Sequence, residues 1–103
     1  MKFHSTCSAS ENRLKFSLRG DLDIISSPEL KKSVLEAYQK NPADLYFDLQ
    51  ELDYLDSTGL GVLISLYKLI QEAGHSLHIC HAKEHIRKLF AITELDQLFV
   101  MEA

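Results

Sequence analysis

At 103 residues the chain has room to close one hydrophobic core but not a second. Apolar residues make up 46% and charged residues 25%, a globular composition rather than a disordered one. Fifteen acidic against eleven basic residues give a net charge of −4, which offers nothing to nucleic acid or an anionic membrane surface and points to protein partners.

Met1-Lys2-Phe3-His4 runs into polar residues without an apolar core, so no secretory signal is expected, and the longest apolar stretch is broken by Ser65 and Lys68. A soluble cytoplasmic domain spanning residues 1–103 follows. Cys7 and Cys80 lack a Cys-x-x-Cys spacing and are expected as two small buried hydrophobes in a reducing compartment.

Residues 2–7 and 13–19 lean towards β-formers, and Ser8 to Asn12 between them is turn chemistry, so the chain should open with a hairpin burying Leu14, Phe16 and Leu18. Gly20 closes the second strand. Ser26-Ser27-Pro28-Glu29 places a serine cap before a proline at the first helical position, which starts a helix. Its apolar stripe is Leu30, Val34, Leu35 and Tyr38, and Asn41-Pro42 ends it.

Leu45-Tyr46-Phe47-Asp48-Leu49 is nearly all apolar and reads as a short central strand covered on both faces. Helix then strand implies a crossover to a parallel neighbour. After a loop, Gly59 to Ala73 should be helical, with Gly74 as its stop and more apolar surface over residues 60–70 than one sheet needs. Ser76 to Cys80 is expected as a strand, Lys83 to Ala91 as a basic amphipathic helix, and Leu98 to Met101 as a terminal strand or a return to one.

The informative segment is Leu55-Asp56-Ser57-Thr58-Gly59-Leu60-Gly61. It feeds a helix, so Asp56 or Ser57 can serve as N-cap, accepting free backbone amides. Capping alone would account for these residues. A phosphate on Ser57 would also be tolerated there, because the amino end of a helix favours negative charge, yet it would repel a partner packed on the same surface.

Other chemistries fit poorly. His75, His78, His81, His85 and Cys80 suggest zinc ligands, but strand and helix periodicity does not bring them to one point. Asp56-Ser57-Thr58 is not a Gly-x-Ser-x-Gly elbow, and there is no Gly-x-x-x-x-Gly-Lys phosphate loop. Lys83, His85, Arg87 and Lys88 are interrupted by Glu84 and read as a solvated helix face.

Gly20-Asp21-Leu22-Asp23, Phe47-Asp48-Leu49 and the Asp56-Ser57-Thr58-Gly59-Leu60-Gly61-Val62-Leu63 run resemble the STAS domain of bacterial anti-sigma factor antagonists. Cys80-His81-Ala82 and Lys88 to Thr93 resemble that family's last helical region. The resemblance implies an α/β fold with a mixed β-sheet of four to five strands and about four helices packed mainly on one side. No catalytic residue, cofactor or metal is expected.

The resemblance also implies a partner switch. The unmodified protein would bind an ATP-dependent anti-sigma factor serine kinase of GHKL-type ATPase fold and so free a sigma factor. Phosphorylation at Ser57 would end binding, and a PP2C-type serine phosphatase would restore it. Asp23, Asp56, Thr58, Gly59, Leu60 and Gly61 would form the partner-binding loop region. The other roles it allows are a scaffold of a stress-sensing assembly, an accessory subunit of a transporter, or a switch with a non-sigma output such as secretion. Where many relatives carry glycine, this chain has Glu94, and the last turn is expected as regular helix capped by Thr93.

Overall fold

The computed structural model describes residues 2–102, so Met1 and Ala103, the ends of the expected domain, lie outside it. In chain order the elements are β1 (His4–Ser10), β2 (Arg13–Leu22), α1 (Ser27–Lys40), β3 (Asp44–Leu55), α2 (Ser57–Glu72), β4 (Leu77–Cys80) and α3 (Glu84–Ile92). A 3-10 turn (Leu95–Gln97) and β5 (Val100–Glu102) complete them.

The strands form one sheet in the order β1-β2-β3-β4-β5. The β1–β2 pair is antiparallel and the other three pairs are parallel, as the expected mixed sheet requires. Every crossover from β2 onward steps to the next strand in the same direction. Right-handed crossovers therefore lay α1, α2 and α3 on the same face. Burial follows: Leu14, Phe16, Leu18 and Leu22 of β2 are buried and alternate with more exposed residues, and Phe16 stacks on Phe47 of β3 with ring centroids 5.5 Å apart. Among the described residues three α-helices and one 3-10 turn stand where about four helices were expected.

Several local expectations are corrected. The strand read as Leu45–Leu49 continues to Leu55, because β3 carries an extra residue against Ser17/Arg19 and another against Gly20/Asp21. Each bulge shifts the inward parity by one, so burial runs Leu45, Phe47, Leu49, Leu52, Leu55 and the pattern no longer looks like a strand. This strand is also covered on one face only. Tyr46 and Asp48 are half-buried on the open face, where Arg13 lies over the Tyr46 ring at 4.7 Å and His78 stacks on it at 4.0 Å. The tyrosine disguised an ordinary alternation.

The helix expected at 59–73 begins at Ser57. Cys80 is buried as expected, but Cys7 is exposed, because the whole of β1 lies beyond the helical layer. The strand expected at residues 2–7 runs from His4 to Ser10, with the turn at Glu11 and Asn12. Thr93 caps the carboxyl end of α3 instead of starting a helix: its hydroxyl lies 2.8 Å from the Leu89 carbonyl and 3.2 Å from that of Phe90. Glu94 follows in the left-handed conformation (φ 61°), the conformation a glycine adopts without strain, and so prevents a regular helix from continuing.

Candidate functional site

Two strand-to-helix turns meet at the carboxyl edge of the parallel strands, where β2 passes into α1 and β3 into α2. Leu22 and Leu55 are the last β2–β3 pair, and the Asp56 amide donates to the Leu22 carbonyl at 3.2 Å, joining the two turns. In open parallel sheets this edge is where binding sites arise.

Asp56 is the N-cap of α2. Its backbone is extended, its Oδ1 accepts from the Gly59 amide at 3.0 Å, and its carbonyl accepts from the Leu60 amide at 3.0 Å. The sequence left the cap open between Asp56 and Ser57, and the structure gives it to Asp56. Ser57 is consequently the first helical residue, exposed, with its hydroxyl engaged in no described hydrogen bond. Thr58 beside it is half-buried. With Gly59 and Leu60 amides occupied by Asp56, the amides of Ser57 and Thr58 are the ones at this helix end left to face an anion.

The two glycines of the motif differ. A Cβ on Gly59 would lie 2.6 Å from Leu55 Cδ1 and 3.0 Å from both Cγ and the carbonyl oxygen of Leu22, so only glycine lets α2 sit this close to both strand ends. Gly61 is exposed, and a Cβ there would meet nothing within 4 Å. Leu60 is buried in the core. Of the expected partner-binding residues, Gly59 and Leu60 thus lie beneath the candidate site, while Gly61 is at its surface beside Ser57, the expected phosphate acceptor.

Asp23 organises the other turn. Its Oδ1 accepts from the Ile25 amide at 3.0 Å and the Ser26 amide at 3.1 Å, and the Ser26 hydroxyl accepts from the Asp23 amide at 2.9 Å. The same hydroxyl lies 2.9 Å from the Asp21 carbonyl and 3.2 Å from Asp23 Oδ1. The Ser26 amide foremost, then that of Ile25, holds the Asp23 carboxyl below the usual carboxylate range. The turn so fixed carries Ile24 and Ile25 into solvent, two residues that sequence reasoning passed over. Two adjacent β-branched apolar residues in a turn are all that the sequence offers to mark them; that they stay in solvent follows from the hydrogen bonds of Asp23 and Ser26.

The surplus apolar surface of α2 is largely absorbed by its neighbours. Leu60, Leu63, Leu66 and Ile70 are buried, Tyr67 meets the Phe99 ring edgewise at 5.7 Å, and Leu69 is the exposed large apolar residue of the helix. A helix in the middle of a three-helix layer needs apolar residues on both flanks as well as below. The histidines disperse. His75 is hydrogen-bonded to the Tyr38 hydroxyl (2.6 Å), His78 to Glu102 (2.9 Å) and His85 to the Asp53 carbonyl (2.7 Å), while His81 lies 3.5 Å from Asp48. Among the described residues no group of three or more His, Cys, Asp or Glu could hold a metal ion. Lys83 pairs with the Asp53 carboxylate, which ties the start of α3 to β3. No helix among the described residues is long and apolar enough to cross a membrane.

Comparison with known proteins agrees with this architecture. The STAS domain family model matches residues 6–103. The anti-sigma-B factor antagonist of Bacillus subtilis is 32% identical over 94 residues, covering 91% of this chain and 85% of the relative. That of Staphylococcus aureus is 34% identical over 79 residues, covering 77% and 73%. The fold is shared with an anti-sigma factor antagonist from Mycobacterium paratuberculosis (TM-score 0.83, 22% identity, 98% of this chain and 86% of that one). It is shared as well with the phosphorylated form of Bacillus SpoIIAA (TM-score 0.78, 16% identity, 97% and 91%). The chain therefore belongs to the STAS domain family, the family of the anti-sigma factor antagonists it resembles.

Proposed function

We propose that this protein is an anti-sigma factor antagonist whose partner binding is switched by phosphorylation of Ser57. The observation that carries the reading is the division of labour at the start of α2: Asp56 takes the cap and leaves Ser57 exposed on the first turn. A phosphate there adds a charge of about −1.5 to −2 at a helix amino end, where the dipole offsets it, so the fold survives modification. A partner seated over Ser57 and the bare backbone at Gly61 would meet that charge together with Asp56, and binding would be lost.

The partners this reading requires are an anti-sigma factor serine kinase of GHKL-type ATPase fold, which binds the unmodified form and phosphorylates it, and a PP2C-type phosphatase that reverses the step. The protein acts as their substrate and not as an enzyme. The relatives named anti-sigma-B factor antagonist support a sigma-factor output. The test is incubation with candidate serine kinases and ATP, followed by mass-spectrometric location of the phosphate. A single phosphate on Ser57, absent from Ser57→Ala, is expected, and phosphate confined to another residue overturns the assignment. A constitutive scaffold would bind its partner equally with or without the modification.

A further inference from the structure

β1 stands at the end of the sheet, and its outer edge is bare. The strand runs seven residues, His4–Ser10, all exposed, and pairs with β2 one to one without a bulge. Among the described residues no backbone hydrogen bond joins β1 to anything but β2. A bare edge invites another strand, and proteins guard against this with charged side chains, proline, bulges or short edges. His4-Ser5-Thr6-Cys7-Ser8-Ala9-Ser10 carries none of these guards, since it contains no Lys, Arg, Asp, Glu or Pro. The opposite edge is guarded: β5 is three residues long and ends in Glu102.

We propose that β1 pairs antiparallel with β1 of a second copy of this chain, joining the two sheets into one. Self-pairing about a two-fold axis obliges opposed residues to share a face, because side chains alternate along a strand. The register that uses all of His4–Ser10 sets Cys7 on the axis: Cys7 faces Cys7, Thr6 faces Ser8, Ser5 faces Ala9 and His4 faces Ser10. No opposed pair joins two like charges, so nothing repels along the seam. Just beyond it, Lys2 of one copy comes level with Glu11 and Asn12 of the other. Lys2 and Glu11 are exposed and in no ion pair among the described residues, and a second copy supplies this charge match by symmetry at both ends. On the helical side the pairing also covers Cys7 and Ala9, which stand beside Phe16 and Leu14 but outside the helical layer. The axis reverses the strands, so the two Ser57 turns fall at opposite ends of the joined sheet. On the switch reading above, both copies then stay open to a kinase, and pairing is indifferent to the phosphate.

The test is sedimentation equilibrium of the full chain across a concentration series, with a thiol reductant present so that no disulfide contributes. A monomer–dimer equilibrium is expected for wild type and for Cys7→Ser. Cys7→Lys should weaken it at least about ten-fold, because two like charges then meet on the axis, and Cys7→Glu should do the same. Mixing these two variants should restore association, which only a seam that sets position 7 against itself explains. Each should keep the wild-type circular-dichroism spectrum and the midpoint measured at dilution, since Cys7 is exposed. A monomer at every concentration, with or without a foreign strand added to β1, overturns the proposal, and so does a dimer that Cys7→Lys leaves intact. Dissociation of the dimer by Ser57→Asp overturns the independence of pairing and switch. Wild-type kinase affinity of Ser57→Asp overturns the switch reading and leaves the pairing standing.

Discussion

The two glycines of α2 should respond to the same substitution with opposite signs. Gly61→Ala adds a methyl where no atom lies within 4 Å and removes the conformational cost of an interior helical glycine, about 0.8–1 kcal/mol relative to alanine. For a domain of this size that raises the thermal midpoint by about 4–8 °C. Gly59→Ala receives a comparable propensity gain but drives its methyl to 2.6 Å from Leu55 Cδ1 and 3.0 Å from the Leu22 carbonyl oxygen. The leucine can adjust, whereas the carbonyl is fixed by the sheet and by the Asp56 amide. Overpacking of this kind costs about 1–3 kcal/mol, so the net effect is a loss of about 1 kcal/mol. Thermal unfolding followed by circular dichroism measures both variants. Shifts of the same sign would refute the close approach at Gly59. The more stable Gly61→Ala should also bind the kinase less well, because its methyl occupies space kept for the partner. An undiminished affinity would remove Gly61 from the docking surface.

Removing the α2 cap with Asp56→Ala should cost about 1 kcal/mol, with Asp56→Asn retaining most of it, and equal midpoints for wild type and Asp56→Ala would discount the hydrogen bond to Gly59. Glu94 occupies a left-handed position that costs a non-glycine residue about 1–2 kcal/mol, so Glu94→Gly should raise stability by about 0.5–1 kcal/mol once the greater freedom of glycine in the unfolded chain is deducted. A fall in midpoint would contradict the strain. Burial, then the Glu102 carboxylate, pushes the Cys80 thiol up to about 11, while Cys7 is exposed on β1. An aromatic disulfide reagent near neutral pH should titrate one thiol in the native protein and two after denaturation. Rapid reaction of both in the native state would show that β4 and β5 open readily.

The fold was legible wherever side-chain periodicity and chain punctuation agreed. Alternation gave β2, the serine and proline at 26–28 gave the start of α1, and Gly74, at φ 85°, gave the end of α2. The later half of β3 was hidden because its two bulges change the inward step from two residues to three, which belongs to neither strand nor helix. Cys7 and Tyr46 misled for a tertiary reason: composition does not reveal where the helical layer stops, and both lie where no helix covers them. At the candidate site, the motif pointed to Ser57 as an expectation, and only hydrogen-bond geometry could assign the cap to Asp56. Asp23 was legible as a turn former. The exposure of Ile24 and Ile25 required knowing how tightly that turn is fixed.

The most direct test of the switch is calorimetric titration of the anti-sigma factor kinase with this protein before and after stoichiometric phosphorylation of Ser57, with the spectra of both forms recorded alongside. Tight binding by the unmodified form, its loss in the phosphorylated form and superimposable circular-dichroism spectra are the expected result. Equal affinity of the two forms would contradict the switch, and loss of the native spectrum on phosphorylation would contradict the claim that the start of α2 accommodates the charge.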